Sequence, residues 1–255
     1  MVAAAKHLRR MIGHTLMTLA LSPVLAVQAL GLRRRALRLS EADGPRQGRV
    51  GGGQPLRLLI VGDSSAAGVG VATQDAALAG ALTRGLAGRG FAVAWALLAA
   101  CGATTASTRK SLVPATLAPA DAVVIVLGVN DVTHFAPLRR WLRDHRALRH
   151  SLRQRTGARH IFVSQMPPLG QFPLLPDPLR WVLGQRALLL ERHLIADLHA
   201  EPDSHYTDLP LTLSPADMAK DGFHPGAGIY AAWGDDLAAT ISDRIGHAKT
   251  PPAQG

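Results

Sequence analysis

A chain of 255 residues is long enough for one α/β domain with a full core and a short additional segment. Its 47% hydrophobic and 18% charged residues exclude a disordered chain, and a single cysteine, Cys101, excludes an intrachain disulfide and a multi-thiolate metal site. The formal charge of +10 is concentrated in residues 1–50 and in the arginines from Arg139 to Arg159, without the interleaved aromatics or motif that nucleic-acid binding requires.

Met11 to Leu32 carries no charged side chain and is flanked by Lys6, Arg9 and Arg10 before it and Arg33 to Arg35 after it. About 20 apolar residues suffice to cross a bilayer, and basic flanks would grip anionic headgroups. Three readings stay open: a membrane anchor lying in or across the bilayer, a cleavable signal peptide with a small-residue site at Val27-Gln28-Ala29, or a helix packed on the domain. Membrane contact through residues 6–38 is the expectation. A secreted or periplasmic location follows from the second reading and a cytoplasmic one from the third. Residues 40–55 are rich in Gly and Pro, the composition of a linker, so the folded domain is expected to begin near Leu56.

From there, short apolar runs alternate with helical patterns, the arrangement of βαβ units on a parallel sheet. Strands are predicted over 56–61, 91–98, 121–127 and 161–164, and helices over 76–86, 179–199 and 228–245. Leu138, Trp141, Leu142, His145, Leu148 and Leu152 recur at helical spacing, which assigns the intervening arginines to a solvated helix face. Met166 to Trp181, with five prolines and several large apolar side chains, follows a strand and is expected to wall an acyl-binding groove, to form a lid, or to pack on the core.

In such sheets, sites form at the carboxyl ends of the strands. Polar residues stand where three predicted strands stop: Gly62-Asp63-Ser64-Ser65, then Cys101-Gly102-Ala103-Thr104-Thr105, then Gly128-Val129-Asn130-Asp131. A fourth block, Asp221-Gly222-Phe223-His224-Pro225-Gly226, precedes the last helix. A serine hydroxyl is a weak nucleophile until a base takes its proton. A carboxylate three residues before a histidine can accept from Nδ1–H and leave Nε2 facing that serine. The amide of Asn130 could donate to an oxyanion, and Gly102 would let backbone approach a ligand closely. Ser65 and Asp131 read as structural, with Asp131 accepting bonds from its own loop. Nucleotide binding lacks support: Gly68-Val69-Gly70 follows a strand, but no third glycine or phosphate-binding lysine completes it.

The order GDS, Gly, G-x-N-D, D-x-x-H-P, spread from Gly62 to Pro225, resembles the SGNH/GDSL hydrolase family of serine esterases and lipases. The resemblance implies a three-layer, flavodoxin-like α/β domain with a central parallel sheet, here preceded by an N-terminal hydrophobic helix. It implies Ser64 as nucleophile, Asp221 and His224 as the rest of a catalytic triad, and an oxyanion hole made by Ser64 and Gly102 N–H groups with the Asn130 amide. It also implies cleavage of small-molecule or lipid acyl esters through an acyl-enzyme, with no metal and no cofactor. An acyltransferase using the same triad and a non-catalytic, membrane-associated binding protein on this fold are the alternatives. The expected organisation is a basic, hydrophobic segment over 1–39, a linker over 40–55, the hydrolase domain over 56–247 and a disordered tail over 248–255.

Overall fold

Each central strand is apolar on both sides because both of its faces are covered. In the computed structural model, which describes residues 21–35, 37–208 and 214–247, β1 (Gln47–Val50), β2 (Gln54–Gly62), β3 (Phe91–Ala99), β4 (Ala122–Val126), β5 (His160–Ser164) and β6 (Ser204–Thr207) form one sheet in the order β1-β3-β2-β4-β5-β6. Along β2, Leu59 and Val61 point into one core, while Leu56, Leu58 and Ile60 point into another. That alternation is the period of a strand sandwiched between two helical layers.

The seven helices among the described residues are α1 (Ser22–Arg35), α2 (Leu78–Gly88), α3 (Thr105–Leu112), α4 (Val129–Thr133), α5 (Leu138–Thr156), α6 (Leu179–Leu198) and α7 (Ala227–His247). Buried residues of α2 and α7, including Leu78, Leu82, Trp233 and Ile241, fill one core. Those of α5 and α6, including Trp141, Leu148, Val182 and Leu190, fill the other. The three-layer expectation therefore holds. Without β1, the five remaining strands run parallel. Their order is that of the flavodoxin-like doubly wound sheet, which reverses direction between β2 and β4.

Three expectations need correction. The sheet is mixed, because β1 pairs with β3 in the antiparallel sense. Residues 47–50 and 54–55, read as linker, are strand: the run Gly51-Gly52-Gly53 is the turn that carries the chain across the start of β3. Gly51 (φ +79°) and Gly53 (φ +114°) take left-handed conformations there, and a Cβ on Gly51 would lie 2.3 Å from the Phe91 carbonyl oxygen. Finally, the arginine-bearing face of α5 is not simply solvated. Arg149 is fully buried, bonded to Asp197 and Glu201 of the α6 segment and to His145 Nδ1 at 2.7 Å.

Of the proposed hydrophobic stretch 11–32, the described part is helical from Ser22, and residues 11–20 lie outside the described residues, as does the tail 248–255. Among the described residues no helix is long and apolar enough to cross a membrane. Instead α1 rests on the domain: Leu25 is buried, and the Gln28 amide donates to Asp177 O (2.8 Å) and accepts from Leu179 N–H (3.2 Å). Val24, Val27 and Leu30 remain exposed.

Candidate active site

Two of the sequence blocks meet because β2 and β4 are neighbours whose carboxyl ends share one edge of the sheet. Ser64 follows β2, and Asn130 lies in α4 directly after β4. The loop before α7 reaches the same edge and completes the group. His224 Nε2 lies 3.0 Å from Ser64 Oγ, and His224 Nδ1 lies 2.5 Å from Asp221 Oδ2. The side chains thus stand in the row Asp221–His224–Ser64 that the sequence suggested.

The turn holding His224 is built by the same carboxylate. Asp221 Oδ1 accepts from the N–H groups of Phe223 and His224, each at 2.9 Å. Burial works to raise Asp221, but the bonds from the His224 ring and from those N–H groups outweigh it, so the carboxyl is held below its usual range. An ionised Asp221 fixes the tautomer with Nδ1–H toward the carboxylate, leaving the Nε2 lone pair for the Ser64 hydroxyl. Gly70 locks the loop from the other side: at φ +111°, a Cβ there would lie 2.3 Å from the Pro225 carbonyl oxygen. Phe223 packs edge-on to the His224 ring at 5.4 Å and to Phe172 at 5.1 Å.

Ser64, Asn130 and His224 line one small cavity of about 30 Å³, together with Pro167 and Phe172. The Asn130 amide donates to Ala103 O at 3.0 Å and, more weakly, to Asp63 Oδ2 at 3.4 Å. Gly102 is not among the residues lining this cavity; it occupies an exposed turn at φ +73°. Ser65, whose N–H donates to Asp63 Oδ1 at 3.0 Å, borders the same cavity. Asp131 is structural, but for a neighbouring loop. It accepts from Thr105 N–H (3.0 Å) and Thr105 Oγ1 (2.8 Å), tying the start of α3 to α4.

Sequence reasoning assigned no role to Asp63, which is buried at the base of the Ser64 turn. Burial, opposed by the Ser65 N–H and reinforced by the charge of Asp131, pushes Asp63 up to about 7. It also missed a large cavity of about 730 Å³ that adjoins His224 and Phe223 and is walled by Leu25, Ala29, Leu175 and Leu183. The only signal for it was the apolar segment 166–181. That segment packs on the core and borders this cavity: Phe172, Leu175 and Leu179 are buried in the core, and Leu174, Leu175 and Leu179 also face the cavity.

One group among the described residues, His160, Asp203 and His205, is close enough to share a metal ion. It stands at the starts of β5 and β6, the opposite end of the sheet from Ser64. Its two histidine nitrogens, 3.2 Å apart, are at hydrogen-bonding distance from each other. It takes no part in the Ser64 constellation.

The model of the GDSL-like lipase/acylhydrolase family matches residues 60–232, a span that takes in the Ser64, Gly102, Asn130 and His224 blocks. A GDSL-like esterase from Mycobacterium tuberculosis is 30% identical over 202 residues, covering 74% of this chain; the chain spans 63% of that relative's length. Among solved structures, a lipase from a goat rumen metagenome aligns with TM-score 0.59 at 17% identity, over 72% of this chain and 96% of its own. A family 3 carbohydrate esterase from Clostridium thermocellum aligns with TM-score 0.59 at 15% identity, over 75% of this chain and 99% of its own. At these identities the likeness to the two structures is one of fold.

Proposed function

The chain belongs to the GDSL-like lipase/acylhydrolase family, and we propose that it hydrolyses carboxylic esters through an acyl-enzyme formed on Ser64. The observation that carries this reading is the unbroken row Asp221–His224–Ser64, with contacts of 2.5 and 3.0 Å. In the first half-reaction Ser64 Oγ attacks the ester carbonyl while His224 Nε2 takes its proton. The imidazolium that forms is stabilised by Asp221, whose carboxyl is held in its ionised form. His224 then returns the proton to the departing alcohol. Water, activated by the same nitrogen, releases the acid in the second half-reaction.

The oxyanion is assigned to the Asn130 amide together with the N–H groups of Ser64 and Gly102. Asn130 lines the Ser64 cavity, and its longer bond, 3.4 Å to Asp63, is the one readily exchanged for a stronger bond to an oxyanion. Gly102 rests on the sequence block alone.

Hydrolysis of p-nitrophenyl acetate by wild type and by Ser64→Ala tests the reading. The expected result is a loss of at least about 10³ in kcat with an unchanged circular dichroism spectrum. Comparable turnover by a folded Ser64→Ala would overturn it.

Contact with a lipid surface is a second element of the proposal. It is favoured by the exposed Val24, Val27 and Leu30 of α1, which lie close in sequence to Arg33, Arg34 and Arg35. Co-flotation of the full-length protein with anionic but not neutral vesicles is the expected outcome; failure to float with either would remove it.

A further inference from the structure

The small cavity at Ser64 and Asn130 has room for little more than the reacting centre, about 30 Å³. An ester with any extended substituent must place it elsewhere. The adjoining cavity, about 730 Å³, falls within the size range of ligand sites and is reached past Phe223 and His224, which line both spaces. Its lining is dominated by hydrocarbon. Leu175, Leu179 and Leu183 come from the body of the domain, and Leu25, Ala26, Ala29 and Leu32 come from α1.

Two further observations mark it as a built site. Large exposed apolar side chains normally scatter over a surface, yet Leu37, Phe135 and Leu174 all converge on this one cavity. Phe135 takes the left-handed conformation (φ +51°) that ends α4, where its N–H and that of Ala136 donate to the Val132 and Asp131 carbonyls. Its ring is secured by the Arg186 guanidinium, 5.1 Å from the centroid. The end of α4 thus sets an aromatic ring at the cavity edge five residues after Asn130.

We propose that this cavity receives a flexible apolar chain of the ester substrate, and that α1 is the wall that sets how much of that chain is enclosed. The proposal rests on the reading of Ser64 and His224 as the reacting groups. The chain belongs to the acyl or the alcohol side of the ester; the chemistry recognised is the same, and the two sides are separated by experiment. Burial of each added methylene is worth up to about fourfold in binding. An eight-carbon chain should therefore outperform a two-carbon one by at least about 100-fold in kcat/KM.

The test uses the full-length protein with two ester series: p-nitrophenyl esters from acetate to octanoate, and acetate esters of methanol to octanol. A rise of about 100-fold along either series supports the cavity and identifies the side it serves; two flat series overturn it. Ala29→Trp, which projects an indole into the cavity from α1, should lower the octyl-to-short-chain ratio at least tenfold in whichever series rises. An unaltered ratio in folded Ala29→Trp and in folded Ala26→Trp would overturn the role given to α1. Calorimetric titration of Ser64→Ala with decanoate separates this proposal from the catalytic one. Stoichiometric binding that weakens at least tenfold when Ala26→Trp is added upholds the cavity, even if wild type cleaves no ester and the hydrolase reading falls. Absence of decanoate binding together with flat series overturns the cavity while ester turnover still stands.

Discussion

Asp63 and Asp131 are both buried beneath the Ser64 turn, close enough for the charge of one to raise the other. Asp63 accepts from the Ser65 N–H and the Asn130 amide, so it shapes the loop that carries the serine and restrains the amide assigned to the oxyanion. Because its carboxyl is raised from 3.8 to about 7, the native state holds a proton that the unfolded chain has released at intermediate pH. The sign follows: the contribution to stability is complete below pH about 4 and is lost as pH rises toward 7. Between pH 5.5 and 8, wild type should lose about 2 kcal/mol through Asp63. Asp63→Asn, which cannot ionise, should lose correspondingly less over the same interval. Urea unfolding of both proteins at the two pH values measures this, and equal losses would remove Asp63 as the cause. At this scale the sequence was informative where the chemistry demands fixed residue types at strand ends: Ser64, Asn130, Asp221 and His224 assemble as their spacing suggested. Gly102 does not join them in the cavity, and Asp63 passed unnoticed because burial, invisible in a sequence, is what makes it unusual.

Among the elements, strands were legible in proportion to their apolar content. β4 (AVVIV) is buried throughout and reads directly, whereas β1 (QGRV) and β6 (SHYT) sit at the two edges of the sheet and carry almost no hydrophobic signal. Helix α5 was legible through its apolar stripe, but the fate of its arginines was not. Periodicity places a residue on a face and does not say what faces it. Arg149 lies on the buried side because α6 and the turn after it offer Asp197 and Glu201, and the pair converts an expensive charge into the tie between two helices. Its neighbour His145 is held neutral there, its pKa lowered to about 3 by burial and by the guanidinium beside it. Replacing Arg149 with Leu leaves Asp197 to Arg146 alone and Glu201 to Ser204 and solvent. Unfolding in urea should show a loss of about 2–3 kcal/mol, the scale of losing hydrogen bonds to charged groups while Asp197 keeps Arg146. A loss below about 1 kcal/mol would mean that Arg146 and solvent replace what Arg149 supplies and that the tie between the helices adds little to stability.

The molecule as a whole places its site where a doubly wound sheet reverses direction. Strands β2 and β4 diverge into opposite crossovers there, leaving a crevice at their carboxyl ends. Ser64 and Asn130 stand on its two sides, and the loop before α7 brings His224 across it. The order of the strands was implied by the resemblance; the part played by α1 was not, since its apolar residues admit an anchor, a signal peptide and a packed helix, with membrane contact the expectation. Its packing is unlike that of the core helices. It is held by Leu25 and the two bonds of Gln28, and it borders two cavities, of about 730 and 600 Å³, that share Leu32, Leu37 and Leu174. Stability is distributed unevenly in such an arrangement, and an element with few buried apolar contacts opens at lower free energy than one in the core. Amide hydrogen exchange should therefore be markedly faster in residues 22–35 than in β4 or α7. Decanoate, by filling the space beneath α1, should slow exchange in 22–35 with little effect on α7. Slow exchange throughout α1 in the free protein would show that the helix is as firmly packed as the core. Fast exchange untouched by decanoate would place the bound chain elsewhere and separate the mobility of α1 from the chemistry at Ser64.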